Sequence, residues 1–115
     1  NARINVGNQG AQIAERATQQ ALAYARDRVQ SARAGSPDKS PVAIIEHPDV
    51  RRMLLRMKAL TEGCRALLYY CAGQVDRGNL GDEAAKHRAD IIVPLVKAWG
   101  TDIGVEVAGL GIQIH

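Results

Sequence analysis

Two arginines stand close together in the segment YARDRVQ, residues 24–30, where Arg26 and Arg28 flank Asp27. A guanidinium group is planar, stays charged at any working pH and can meet a phosphate or carboxylate with paired N–H donors. Arg26 and Arg28 could therefore bind an anionic ligand. They could equally form the solvated end of a helix, where the helix dipole favours positive charge. On these residues alone, the solvated helix end is the preferred interpretation.

The other residues that often carry chemistry do not form a recognisable site. The five glutamates have no companions at a spacing that defines an acid–base pair: Glu15, Glu46, Glu62, Glu83 and Glu106. The histidines match no zinc spacing with the cysteines, so no metal site is predicted. Cys64 and Cys71 would be separated by about 10 Å along a helix, which is too far for a disulfide. They are predicted to be buried and reduced, as in a cytoplasmic protein.

Composition restricts the fold that must position these residues. The chain has 115 residues, which is enough for one domain but few for enclosing a cofactor without further segments. Hydrophobic residues make up 46%, yet phenylalanine is absent and aromatics are only 3%, which favours closely packed helices with an aliphatic core. The formal charge of +3 comes without a lysine-rich tract, and no apolar run is long enough to cross a membrane. Neither nucleic-acid binding nor a membrane span is therefore expected.

The periodicity of apolar residues predicts the first two long helices. The first extends from Val6 to about Arg33 with an alanine-rich stripe, and a loop of about a dozen residues follows it. The second begins at Pro48, because proline is favoured at the first position of a helix. It ends at residues 77–79, where a basic last turn is followed by a glycine.

A third helix begins at residues 81–83, where acidic side chains match the positive end of the helix dipole. Asp82 is expected to pair with Lys86, and a bend is expected at Pro94, which lacks a backbone donor. Beyond Trp99, four glycines alternate with apolar residues, and this pattern leaves open whether the chain stays helical or becomes a loop. The predicted fold is all-α, an antiparallel bundle of three long helices whose fourth helix is missing or supplied by self-association.

Three segments, in their order along the chain, resemble a known family. They are RINV through YARDRVQ, then AIIEHPDVRRMLLRMKALTEGCRALLYY, then the third helix ending in GIQIH. Together they resemble the C-terminal helical domain of FAD-dependent acyl-CoA dehydrogenases over nearly the whole chain. HPDVRRMLLRMKALTEG is most similar to a large bacterial subgroup of the 3-methylmercaptopropionyl-CoA dehydrogenase type. Asn1-Ala2 looks like the remainder of an expression tag, so the domain is expected to comprise residues 3–115.

The resemblance implies contacts with a cofactor and a substrate. Arg28 matches an arginine that contacts the FAD diphosphate, usually of a neighbouring subunit, and Gln30 would add a polar contact. Gln113 matches the glutamine of a Gln-x-x-Gly-Gly motif that meets the adenine side of FAD across the subunit interface. Arg3 falls where the family places an arginine near the CoA ester. Ser31-Ala32 departs from the family pattern, because many relatives have Phe-Gly at this FAD-stacking position.

The family reaction removes the α proton of an acyl-CoA thioester with a glutamate and passes a β hydride to the flavin. In most relatives that glutamate follows the Gln-x-x-Gly-Gly motif, and in a few it precedes the arginine matched by Arg3. The catalytic base is therefore expected outside this chain, and no catalytic residue is predicted within it. The resemblance implies a homo-oligomeric parent enzyme that passes electrons to an electron-transfer flavoprotein, and the reduced cysteines favour a cytoplasmic location. The chain alone is expected to be inactive, to retain no FAD and to self-associate.

An alternative from another class is a free-standing helical interaction module. Residues 1–36 carry five arginines against Glu15 and Asp27, a local charge of +3. The basic first helix of such a module would bind an acidic partner.

Overall fold

The computed structural model describes residues 1–115 and contains three long helices and one short β-ribbon. In chain order the elements are α1 (Ala2–Asp27), β1 (Val29–Ala32), β2 (Pro41–Ala43), a 3₁₀ helix (Ile44–Glu46), α2 (Pro48–Asn79) and α3 (Glu83–Ile114). The two strands pair antiparallel and form the whole sheet. The molecule is a rod with principal extents of 64 × 20 × 16 Å. The predicted all-α fold with three long helices is confirmed.

Polar contacts show that α1 and α2 run antiparallel. Glu15 of α1 forms an ion pair with Arg65 of α2. One turn further along α1, the hydroxyl oxygen of Thr18 lies 3.3 Å from that of Thr61, which is one turn earlier in α2. The contacts therefore advance along α1 while they go back along α2, which is the antiparallel arrangement of neighbouring helices in a bundle.

Glycines allow α3 to run parallel to α1 at close range. A Cβ built on Gly10 would overlap the carbonyl group of Gly100, and one built on Gly100 would lie 2.7 Å from the carbonyl oxygen of Gly7. Further along both helices, Gly111 of α3 faces Ala17 of α1. The backbones of α1 and α3 therefore touch where a side chain would not fit.

The core is aliphatic, as the composition predicts. Met57, Ile103 and Val107 are fully buried between the helices. Cys64 and Cys71 are buried, as predicted, and both are free. Burial in apolar surroundings disfavours the thiolate, so the pKa of both thiols is raised. Buried thiols in apolar surroundings serve packing, and a raised pKa disfavours the thiolate that a nucleophile needs.

The prediction for the end of the first helix is wrong. α1 begins at Ala2 and ends at Asp27 instead of near Arg33. Arg28 is already extended, with φ −71° and ψ 119°. Its carbonyl accepts a hydrogen bond from the backbone N–H of Ile44 at 2.8 Å. After α1 the backbone forms hydrogen bonds within the β-ribbon instead of continuing the helix. The ribbon occupies the predicted end of the first helix and part of the predicted loop.

The predicted pair between Asp82 and Lys86 is also wrong. Asp82 is the N-cap of α3, and its Oδ1 accepts from the backbone N–H of Ala85 at 2.9 Å. Its Oδ2 accepts from Nη2 of Arg77 at 2.7 Å. The capping geometry turns the carboxylate toward the start of the helix and away from Lys86. These two hydrogen bonds lower the pKa of Asp82, the bond from Ala85 contributing most.

The remaining helix boundaries agree with the sequence. α2 begins at Pro48 and ends at Asn79, as predicted. α3 continues through Pro94 and through the glycine-rich tail to Ile114, so the tail is helical. The four glycines in the tail do not end the helix, because packing of Gly100, Gly104 and Gly111 against α1 outweighs the low helix propensity of glycine.

Candidate functional site

Arg28 lies at the end of α1, and no carboxylate holds its guanidinium. Its backbone N–H closes α1 by donating to the carbonyl of Tyr24 at 2.8 Å. Its Nη2 donates to Oε1 of Gln30 at 3.3 Å. None of the six ion pairs includes Arg28, whereas Arg33 and Arg65 are each held by a glutamate. The exposed guanidinium of Arg28 therefore keeps most of its donors for an external anion.

Gln113 lies at the same end of the bundle, because α1 and α3 run parallel. The rings of Tyr24 and His115 stack with centroids 4.3 Å apart and an interplanar angle of 23°. The Tyr24 hydroxyl also lies 3.4 Å from the carbonyl oxygen of His115. Gln113 is exposed on this last turn of α3. The structure thus brings Gln113 to the end of the bundle that carries Arg28 and Gln30.

The β-ribbon holds Gln30 at this end. Its strands pair through an irregular register between residues 29 and 32. Ser31 lies in the irregularity with φ 63°, in the left-handed region. Nε2 of His47, the residue before α2, lies 2.7 Å from the carbonyl oxygen of Gln30. Sequence periodicity missed the ribbon, because it assigned these residues to α1 and to a loop.

Arg3 lies near the opposite end of α1. About 38 Å separates Arg3 from Arg28 along the helix axis, from a rise of 1.5 Å per residue. Arg3 lines an open groove of about 500 Å³ together with the start of α3, including Glu83, Lys86 and Asp90. The structure therefore does not bring the residue predicted to bind the substrate together with those predicted to bind the cofactor.

A second groove, of about 600 Å³, runs between α1 and α2 and was not foreseen from the sequence. Glu15 lines it and is held by Arg65 of α2 and by Nε2 of Gln19, which donates at 2.7 Å. These hydrogen bonds, that from Gln19 first, keep the pKa of Glu15 below its usual range. A carboxylate with a lowered pKa and fixed donors is a weak proton acceptor, so this contact is structural. Its partners are fifty positions apart, which no local spacing reveals.

The donor chemistry at the Arg28 end fits a dinucleotide. A guanidinium provides paired donors for phosphate oxygens, and the amides of Gln30 and Gln113 can both donate and accept. All three side chains are exposed, so a ligand carried by another part of the protein can reach them. No group of three or more His, Cys, Asp or Glu side chains could hold a metal ion. No helix has the length and apolar character needed to cross a membrane.

The fold is a helical domain with exposed hydrogen-bond donors at the end that carries Arg28, Gln30 and Gln113. Comparison with known proteins names the family. Residues 1–115 match the family described as "Acyl-CoA dehydrogenase, C-terminal domain", and the chain belongs to this family.

Three relatives illustrate the match. A 3-methylmercaptopropionyl-CoA dehydrogenase of Ruegeria pomeroyi is 54% identical over 99% of this chain and 20% of its own length. A butyryl-CoA dehydrogenase of Syntrophomonas wolfei is 39% identical over 83% of this chain and 16% of its own length. A broad-specificity linear acyl-CoA dehydrogenase of Mycobacterium tuberculosis is 36% identical over 88% of this chain and 18% of its own length. The chain thus spans about a fifth of the length of the relatives that it matches.

Proposed function

We propose that the chain is the C-terminal helical domain of an FAD-dependent acyl-CoA dehydrogenase, which introduces an α,β double bond into an acyl-CoA thioester. The observation that carries this proposal is the family match over residues 1–115, together with a relative that is 54% identical over 99% of the chain. The three-helix fold agrees with such a domain. FAD, when bound, supplies the acceptor for the substrate hydride.

The proposed contribution of this domain to the reaction is to bind and orient. Arg28 would meet the FAD diphosphate, Gln30 would add a polar contact, and Gln113 would meet the adenine side. Their exposure and common position at one end of the bundle support these roles. Arg3 would bind near the CoA ester. Its distance from Arg28 along α1 is compatible with a ligand of another subunit at the Arg28 end.

We propose that the catalytic base lies in another part of the protein. Most glutamates of the chain are occupied by a basic partner: Glu15 by Arg65, Glu46 by Arg33, Glu62 by Lys58 and Glu106 by Arg56. Glu83, in the first turn of α3, is exposed far from the Arg28 end. None of them lies in an enclosed site, so the domain alone would be inactive and would not retain FAD.

An exposed apolar stripe on α3 supports an oligomeric parent enzyme. Ile91, Leu95, Val105 and Ile112 recur on one side of α3, and Val105 and Ile112 are 77% and 76% exposed. Apolar side chains at helical spacing need cover from another helix, which a second subunit or the rest of the chain would supply. The buried thiols suit a cytoplasmic enzyme. We propose an electron-transfer flavoprotein as its electron acceptor.

The visible absorption spectrum of the full-length protein tests the reaction. The protein from its complete reading frame is expected to show bound flavin, and adding acyl-CoA esters is expected to bleach it. The esters should include 3-methylmercaptopropionyl-CoA and butyryl-CoA, the compounds in the names of two relatives. The ester that bleaches the flavin fastest would identify the substrate class.

A colourless protein that FAD cannot reconstitute would contradict the dehydrogenase proposal. The helical interaction module would then be the better proposal. Its support is a set of exposed arginines on or beside α1 that have no carboxylate partner, Arg16, Arg26 and Arg28.

A further inference from the structure

One residue next to the proposed cofactor surface has an unfavourable backbone conformation. Ser31, with φ 63°, is the only non-glycine residue of the chain with positive φ. A left-handed conformation is unfavourable for a residue with a Cβ. Such a conformation persists only when surrounding contacts impose it. The contacts that impose it here therefore also set the direction of the side chains just before Ser31.

Two hydrogen bonds hold the backbone immediately before Ser31. The backbone N–H of Ile44 donates to the carbonyl of Arg28 at 2.8 Å. Nε2 of His47 lies 2.7 Å from the carbonyl oxygen of Gln30. A carbonyl oxygen only accepts, so Nε2 must carry the hydrogen and donate. These two donors fix both ends of residues 28–30, the segment that presents the arginine and the glutamine of the proposed FAD contact.

His47 itself is held rigidly. It precedes Pro48, which restricts it to extended backbone, and it has φ −77° and ψ 134°. Its backbone N–H donates to the carbonyl of Ile44 at 3.0 Å, and its carbonyl accepts from the N–H of Arg51 at 3.0 Å. The backbone that carries the imidazole is thereby anchored to the start of the long helix α2. A rigid anchor can hold a neighbouring segment in a geometry that the segment would not adopt alone.

We propose that His47 is a positioning residue for the cofactor surface. By donating from Nε2 to the carbonyl of Gln30, it holds the left-handed backbone conformation of Ser31 and thereby aims the side chains of Arg28 and Gln30 at FAD. This inference rests on the proposed function, because it assumes that Arg28 and Gln30 contact FAD. The hydrogen bond between their side chains, 3.3 Å from Nη2 to Oε1, fits a segment held in one conformation.

The test measures FAD affinity of the full-length apoprotein from flavin fluorescence, with FAD itself as the probe. His47→Leu is expected to weaken FAD binding about tenfold, the value of one ordinary hydrogen bond. His47→Gln can still donate from its amide to the Gln30 carbonyl, and is expected to stay within about threefold of the wild type.

Variants at Ser31 test the same idea without changing His47. Ser31→Gly adopts positive φ without strain and is expected to keep the affinity. Ser31→Val places a β-branched side chain at a positive φ, the backbone region that such residues tolerate least. It is expected to weaken FAD binding about as much as His47→Leu. If His47→Leu does not fold, these two variants still test the step through Ser31, and equal FAD affinities for both would contradict the inference.

A matched control separates positioning from general stability of the ribbon. Glu46→Gln breaks the ion pair with Arg33, which also ties the ribbon to the chain before α2. It leaves the His47–Gln30 contact intact and is expected to leave FAD affinity unchanged. Loss of affinity in Glu46→Gln equal to that in His47→Leu would overturn the positioning role.

A combined variant tests whether His47 acts through Arg28 and Gln30. With Arg28→Ala and Gln30→Ala in place, His47→Leu is expected to cause no further loss of affinity. A further tenfold loss would mean that His47 acts independently, which contradicts the inference.

If Arg28→Ala and Gln30→Ala do not weaken FAD binding, the proposed cofactor surface is wrong and the inference is wrong with it. If they weaken binding while His47→Leu and Ser31→Val do not, only the positioning role is wrong.

Discussion

The two ends of the α1–α3 pair are held together in different ways. Toward the start of α1, Gly7 and Gly10 contact the backbone around Gly100, and a Cβ on Gly7 would lie 2.6 Å from the carbonyl oxygen of Val96. At the other end the helices meet through side chains, with the ring of Tyr24 stacked on that of His115. The first end is a backbone contact without spare volume, and the second is a polar, partly exposed contact.

This difference assigns separate tasks to the two ends. A backbone contact between helices tolerates little movement, and it tolerates no larger residue in place of glycine. The interior is close-packed, and main-chain atoms, unlike a side chain, cannot change rotamer to make room. The far end is held by hydrogen bonds and a ring stack, and it ends in the β-ribbon. Binding residues are often carried by irregular segments that a rigid scaffold positions. The glycine end therefore provides the scaffold, and the Arg28 end provides the candidate contacts.

The glycine end is expected to give the largest effect. Gly10→Ala places a methyl group on the carbonyl of Gly100, so the helices must separate. We expect a loss of about 3 kcal/mol or more, at the upper end for overpacking. The apparent melting temperature of the full-length protein checks this.

Gly73→Ala is the control. Nothing lies within 4 Å of a Cβ built on Gly73, so alanine there should stabilise α2. Similar melting temperatures for both variants would contradict the tight contact.

The ring stack is expected to give an intermediate effect. Tyr24→Leu removes the stack on His115 and should cost about 1 kcal/mol. The loss should be local and should appear as faster hydrogen exchange of the amides in the last turn of α3, around Gln113. Tyr24→Phe keeps the stack and should exchange nearly as the wild type. Equal exchange in all three proteins would mean that Tyr24 does not hold this end.

The ion pair in the middle of α1 is expected to give the smallest effect. Glu15 is ionised in the fold with a pKa below its usual 4.5, so its stabilising contribution is present above pH 4.5. It is lost as the pH falls through the lowered native pKa. Glu15→Gln should therefore be less stable by up to about 1 kcal/mol at pH 7, and the difference should shrink in acid.

Thermal unfolding at neutral and acidic pH measures this change. Arg52→Gln is the control, since it breaks an exposed i,i+3 pair with Asp49. Its effect should be smaller than that of Glu15→Gln at pH 7. A stability difference for Glu15→Gln that is constant across pH would contradict the assigned pKa direction.

The sequence predicts most of the fold, because periodicity and caps are local. Pro48 and Asp82 predict the starts of two helices. In the structure α2 begins at Pro48, and Asp82 is the N-cap of α3. The end of the first helix could not be predicted in the same way. Val29 continues the apolar stripe by its spacing, yet its side chain is 54% exposed and its backbone pairs with Ala43. Val29 and Ala43 belong to different strands that pair across a loop. Helical periodicity describes residues three or four positions apart, so it cannot predict this pairing.

The candidate site is predictable only in part. Arg28, Gln30 and Gln113 follow from a family resemblance, and their common location follows from the parallel course of α1 and α3. The contact from His47 to Gln30 could not be predicted, because it depends on the irregular pairing of the ribbon and the positive φ of Ser31. A glycine in a sequence suggests a positive φ, whereas a serine does not.

The central claim is that the Arg28 end of this domain contacts FAD, and FAD affinity of the full-length apoprotein tests it most directly. Arg28→Ala should weaken binding about tenfold or more, as expected for charged hydrogen bonds to a diphosphate. Arg26→Ala is the matched control, because it removes the same charge from an exposed arginine at the same helix end. It should stay within about twofold, because only the weak exposed-charge effect is lost. Equal losses in both variants, or none in Arg28→Ala, would contradict the account.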